Sequence, residues 1–139
     1  QFGKWMCVTI RDKLEGRYDC ITYAPVSRQR LRERGFDQSE RLCMVIAREL
    51  GLPVERLRQK TRHTKRQSEL NDASMRAANA SGAYSVVDPA QVAGRRILLI
   101  DDIVTTGATL AECSRVLRTA GAESVVCAVL AAARSDKER

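Results

Sequence analysis

Two consecutive carboxylates, Asp101 and Asp102, follow the apolar tetrad Ile97 to Ile100 and precede Ile103-Val104-Thr105-Thr106-Gly107-Ala108-Thr109. An uninterrupted apolar run reads as a strand covered on both faces. Ligands of open α/β sheets bind beyond the carboxyl ends of the strands, which is where this spacing puts the two acids. The next segment is made of hydroxyl residues and a glycine, and it leads into a helical pattern from about Ala108 to Ala120. A helix N-terminus offers unpaired N–H groups and the positive end of its dipole to an anion. Thr105, Thr106 and Thr109 add hydroxyl donors, and Gly107 lets the backbone approach closely. The chemistry that fits is a ribose 5-phosphate. Its phosphate would sit in Thr105–Thr109, Ala108 included, and its 2- and 3-hydroxyls on Asp101 and Asp102, directly or through a divalent ion. Carboxylates repel phosphate, so the sugar and phosphate halves must be separate. The string is neither G-x-x-x-x-G-K-[ST] nor G-x-G-x-x-G, which excludes those two nucleotide loops.

A second concentration of chemistry lies upstream. The chain carries a net charge of +7. Residues 27–66 hold twelve Arg or Lys against five acids, and the remainder balances. One segment therefore carries all the excess, which points to an anionic partner there, either the phosphates of a small ligand or those of nucleic acid. Of six aromatic residues only Phe36 falls in that segment, so a stacking platform for single strands has little support and purely electrostatic contact is what remains. His63, the single histidine, has no readable nucleophile partner and reads as a surface residue. Five cysteines, odd in number and without a C-x-x-C pair, read as buried small apolar side chains rather than a disulfide framework or zinc site.

The elements that position these residues can be read from periodicity. Phe2, Met6, Ile10 and Leu14 predict a helix over 2–15. Cys20 to Val26 reads as a buried strand, and residues 27–36 as a basic loop. A helix is expected from Gln38 to Leu50, with an Asp37/Glu40 capping pair, a mostly apolar stripe of Leu42, Val45, Ile46, Glu49 and Leu50, and Gly51 as stop. Pro53 to Leu57 reads as a short strand. Residues 60–82 are polar and basic and read as a mobile loop with a short helix near Ala73–Ala78. Ala83–Val87 reads as a strand and Asp88-Pro89 as a turn. Strands at Arg96–Ile100 and Val125–Ala132 flank the helix carrying Leu110, Cys113, Val116 and Leu117. Strand, helix and strand make a βαβ crossover, so the fold class is α/β with a mostly parallel sheet, as a single domain over 1–139. The longest apolar run, Val125 to Ala133, is nine residues, against about twenty needed to span a bilayer. With no signal-peptide pattern either, a cytoplasmic location is expected. The start at Gln1, without an initiator Met, reads as a piece of a longer protein.

Ile97 to Thr109 resembles the phosphoribosyl pyrophosphate (PRPP) motif of type I phosphoribosyltransferases. Arg30-x-Arg32-x-Arg34-Gly35-Phe36-Asp37-Gln38, Thr64-Lys65-Arg66-Gln67-Ser68-x-Leu70 and Arg76-x-x-Asn79-x-x-Gly82-Ala83-Tyr84 are similar to stretches of the ComF family. The resemblance covers about residues 20–133. It implies a type I phosphoribosyltransferase-like fold: a twisted, mostly parallel sheet flanked by helices, with a small hood to which residues 60–86 contribute. It implies Mg²⁺-PRPP as ligand, with Asp101 and Asp102 catalytic, and Ser27, Arg28 and Arg34 on the pyrophosphate. Lys65, Arg66 and Gln67 fall on the catalytic loop that closes over PRPP in that superfamily. A link to natural competence and DNA uptake is implied, with single-stranded DNA or a competence helicase as partner. The acceptor is unnamed, and a non-catalytic PRPP-sensing or DNA-binding module is the alternative. Three departures stand out: Asp37 replaces an Asn, Lys65-Arg66 stand where prolines are frequent, and the N-terminal four-cysteine zinc ribbon of many members is missing.

Overall fold

The computed structural model describes residues 2–25, 28–59, 84–104 and 107–132. Helix α1 (Phe2–Leu14) leads to strand β1 (Cys20–Tyr23), then helices α2 (Arg28–Arg34) and α3 (Gln38–Leu50). Strands β2 (Leu57–Gln59) and β3 (Tyr84–Val86), the short helix α4 (Pro89–Val92), strand β4 (Arg96–Val104), helix α5 (Ala108–Thr119) and strand β5 (Ser124–Ala132) complete the order. The main sheet runs β1-β4-β5 and every pairing in it is parallel. Beside β1, Ile21 bridges to Val54 through Ile21 N–H to Pro53 O (3.0 Å) and Glu55 N–H to Ile21 O (2.9 Å). The expected strand at Pro53–Leu57 is therefore a single bridge, and the true strand, β2, begins at Leu57. It pairs antiparallel with β3.

Strand side chains alternate between faces, and here each face has its own core. Ile21, Tyr23, Leu98 and Ile100 face α1 and α3, meeting Met6, Ile10, Leu42, Cys43 and Ile46. Cys20, Ala24, Ile97 and Leu99 face the other way, meeting Leu57, Val92, Cys113 and Leu117. This two-sided covering is why Ile97–Ile100 is apolar throughout. Four cysteines are buried in these cores, as expected, while Cys127 is exposed. Burial pushes the Cys43 and Cys113 thiols up to about 12, which keeps them unreactive. Among the described residues, no helix is long and apolar enough to cross a membrane.

Helix α3 follows its sequence signals closely. Asp37 caps it, its carboxylate accepting from Glu40 N–H at 3.1 Å, and Gly51 ends it in the left-handed region. Its buried face is Ser39, Leu42, Cys43, Ile46 and Ala47, whereas Val45, expected in the stripe, is 40% exposed. The basic segment differs from expectation more sharply. Residues 28–34 are helical, not a loop. Arg, Gln, Leu and Glu are all good helix formers, and Gly35 N–H closes the helix on Leu31 O at 2.7 Å. High charge and a lone apolar residue hid this, because Leu31 is itself 43% exposed and marks no buried stripe.

Candidate active site

Strand β4 continues four residues past the end expected for it. Opposite β1, the register ends at Tyr23 with Ile100, and Ala24 N–H donates to Ile100 O at 3.0 Å. Opposite β5, pairing continues through Asp101 with Val129 to Val104 with Ala132. The sheet thus has a step, and the acidic pair lies within β4 on the part that overhangs β1. Sequence alone made Asp-Asp look like a strand end. The long parallel partner β5 is what keeps this stretch extended.

Helix α3 brings its first turn to this step. Ser39, fully buried, points its hydroxyl to Asp101 Oδ1 (3.1 Å) and Asp102 Oδ1 (3.3 Å). Asp101 Oδ1 also accepts from the Asp102 backbone N–H at 2.9 Å. Asp101 is 9% exposed. Burial pushes its carboxyl up to about 6, and the neighbouring Asp102 adds to the rise against the opposing pull of the two hydrogen bonds. Sequence reading missed Ser39. It lies three and four residues before Leu42 and Cys43, in line with the buried stripe, and that alignment was the available signal.

Beyond the overhang, Gly107 caps α5 with φ +81°, ψ 0°, a backbone conformation that costs a non-glycine residue about 1–2 kcal/mol. Its carbonyl accepts from Ala111 N–H at 2.9 Å. Ala108 and Thr109, in the first turn of α5, are exposed. Tyr84 and Val86 of β3 pack against the same core cluster as Leu110 and Val116 of α5, and burial raises the Tyr84 phenol. Next to the step, Tyr23 Oη donates to Glu40 Oε2 (2.9 Å) and accepts from Arg56 Nη1 (3.2 Å). Burial, then the Glu40 carboxylate, pushes the Tyr23 phenol up to about 12.

Of the other expected site residues, Arg34 is exposed at the C-terminal end of α2 and Arg28 begins that helix. Six helical steps place their backbones about 9 Å apart along its axis, so any ligand they share is reached from the two ends of a helix rather than from neighbouring loop positions. Ser27, Thr105, Thr106, Lys65, Arg66 and Gln67 lie outside the described residues, as do the expected mobile loop at 60–82 and its short helix.

An acidic pair at a sheet step and a glycine-capped helix N-terminus are the described parts of the candidate site. Residues 37–139 match the phosphoribosyl transferase domain. The chain belongs to the phosphoribosyl transferase domain family. It is 33% identical over 109 residues to competence protein F of Haemophilus influenzae, covering 77% of this chain and 47% of that protein. It is 36% identical over 108 residues to DNA utilization protein YhgH of Escherichia coli strain K12, covering 77% and 46%. The chain thus spans about half the length of these relatives. Its fold is similar to that of glutamine PRPP amidotransferase from B. subtilis, with TM-score 0.62, 22% identity and coverage of 93% of this chain and 26% of that one. Phosphoribosylpyrophosphate synthetase from Mycobacterium smegmatis gives TM-score 0.59, 23% identity and coverage of 96% and 34%. The type I phosphoribosyltransferase-like fold and the likeness to competence protein F are both as the sequence motifs implied.

Proposed function

We propose that this domain binds Mg²⁺-PRPP and transfers its ribose 5-phosphate to an acceptor. The observation that carries the reading is the acidic pair on the β4 overhang, buried Asp101 and half-buried Asp102, both within hydrogen-bond distance of Ser39 Oγ and followed in sequence by Gly107 and α5. Asp101 and Asp102 accept hydrogen bonds from the ribose 2- and 3-hydroxyls. The backbone N–H groups and hydroxyls of Thr105–Thr109 take the 5-phosphate at the positive end of α5. The bond from C1 to the pyrophosphate oxygen breaks, and a bond from C1 to the acceptor nucleophile forms. The two carboxylates stabilise the positive charge that develops on the ribose meanwhile. Ser27, Arg28, Arg34, Lys65, Arg66 and Gln67 are the proposed contacts of the departing pyrophosphate, with Arg28 and Arg34 acting from opposite ends of α2.

The donor set fits Mg²⁺, which takes hard oxygen ligands and commonly binds through one or two carboxylates plus substrate phosphates. Two carboxylates meet at one hydroxyl here, and Asp101 is raised by burial and by its neighbour, so a cation relieves the repulsion. When bound, the ion supplies charge neutralisation on the pyrophosphate.

Its relatives are named for competence and DNA utilization, and we place the whole protein in DNA uptake or use on that likeness. A second reading keeps the PRPP site as a sensor, with single-stranded DNA or a helicase as partner. Exposed Leu31, Arg32 and Arg34 on α2 favour such a surface. Two measurements separate them. Titration calorimetry should show PRPP binding that requires Mg²⁺, lost in Asp101→Asn and Asp102→Asn, and pyrophosphate release should depend on an added base. Unchanged PRPP affinity in both variants refutes the site. PRPP binding without acceptor-dependent release, together with DNA binding that falls steeply with salt, favours the second reading.

A further inference from the structure

Adjacent residues of a strand send their side chains to opposite faces, so Asp101 and Asp102 need an outside group to bring their carboxylates to one ligand. Ser39 is that group. Its Oγ lies within hydrogen-bond distance of Oδ1 of both acids, and the residue is fully buried. The hydroxyl has one proton, so it donates to one carboxylate at a time, and both Oδ1 atoms lie where that proton can reach them. The helix turn that delivers it is fixed: Asp37 accepts from Glu40 N–H through its carboxylate and from Arg41 N–H through its carbonyl, each at 3.1 Å. On Asp101, Ser39 and the Asp102 N–H converge on Oδ1. Two donors on one oxygen restrict the rotation of the carboxylate.

We infer that Ser39 is a positioning residue, which orients the Asp101 and Asp102 carboxylates for the ribose diol without touching the ligand. This rests on the ribose site proposed above. The competing account is that Ser39 only packs α3 against β4. That role would weaken the fold and every ligand alike. A positioning role acts through the ribose and spares a ligand that has none.

The test is titration of Mg²⁺-PRPP and of pyrophosphate without Mg²⁺ into the full chain, as wild type, Ser39→Ala and Ser39→Cys. Both substitutions remove a strong donor, and cysteine stays close to serine in volume, so it carries the test if Ser39→Ala does not fold. A hydrogen bond to a charged group implies a loss of PRPP affinity of roughly ten-fold or more. Pyrophosphate affinity should stay within about two-fold of wild type. Variants that bind PRPP as wild type does, or that lose both ligands equally, overturn the positioning role and leave the ribose site standing. A wild type that does not bind PRPP overturns the ribose site and the inference with it.

Discussion

Replacing Asp101 by asparagine should stabilise the protein while removing its ligand. Both hydrogen bonds received by Asp101 end on Oδ1. An asparagine carbonyl oxygen in that place accepts the same two donors, so the exchange removes charge and leaves the bonding intact. Burial and the neighbouring acid push the Asp101 carboxyl from 3.8 to about 6, which corresponds to about 3 kcal/mol against the ionised form. Solvent access at the edge of the site reduces this to about 1.5 kcal/mol. The sign follows from proton binding. Between about pH 4 and 6 the folded state holds more proton at this site than the unfolded state, so this group's contribution to stability falls as pH rises through that window. Above pH 7 the cost is fully present. Urea denaturation of wild type and Asp101→Asn from pH 4 to 8 measures it. The variant should be more stable by about 1.5 kcal/mol at pH 8, with the gap closing toward pH 4. A gap that does not change with pH, or a variant less stable at pH 8, refutes the argument that burial of this carboxylate is what strains the site.

Three further outcomes follow from the packing. Thr22 is fully buried, and its hydroxyl has no hydrogen-bond partner among the described residues, so Thr22→Val should raise stability by about 1 kcal/mol in denaturant titration. A methyl group on Gly3 would lie 2.5 Å from Val45 Cγ1, where α1 crosses α3. Gly3→Ala should therefore cost about 1–3 kcal/mol, and pairing it with Val45→Ala should restore much of the loss. At the far end of the sheet, Asp19 accepts from Arg96 N–H (2.9 Å) and Nη2 (2.8 Å), and those bonds hold its carboxyl below the ordinary value. The stability Asp19 contributes is present above about pH 4 and lost as pH falls through its lowered value, so Asp19→Asn should destabilise at pH 7 and approach wild type in acid.

Legibility tracked how local the determinant was. Helix α3 was readable to the residue because Asp37, Glu40 and Gly51 are signals carried by the segment itself. Helix α5 and strand β5 came within one residue, since an apolar period and a stop glycine define them. The end of β4 was not readable, because its last four residues stay extended through pairing with β5, a partner more than twenty residues away. Helix α2 was missed for a different reason. Its propensity is high, but it buries no stripe, and periodicity reports burial rather than helicity. At the site, the acids and Gly107 were legible from type and spacing. Ser39 was not, since its contact with the acids spans 62 and 63 residues.

That difference bears on how the site is built. The acidic pair is one dipeptide, yet its geometry depends on three elements. Strand β1 must stop at Tyr23 to leave the overhang, β5 must continue to Ala132 to support it, and α3 must deliver Ser39 from a capped first turn. Tyr23, the last residue of β1, is hydrogen-bonded to Glu40, the residue next to Ser39, so the end of the strand and the start of the helix are fixed to each other. Removing that phenol, as in Tyr23→Phe, leaves the apolar ring in its core while releasing the link. If the step and the helix turn are one unit, this change weakens PRPP binding from a position that need not touch the ligand. If they are independent, binding is unchanged and only the modest stability of a partly exposed hydrogen bond is lost.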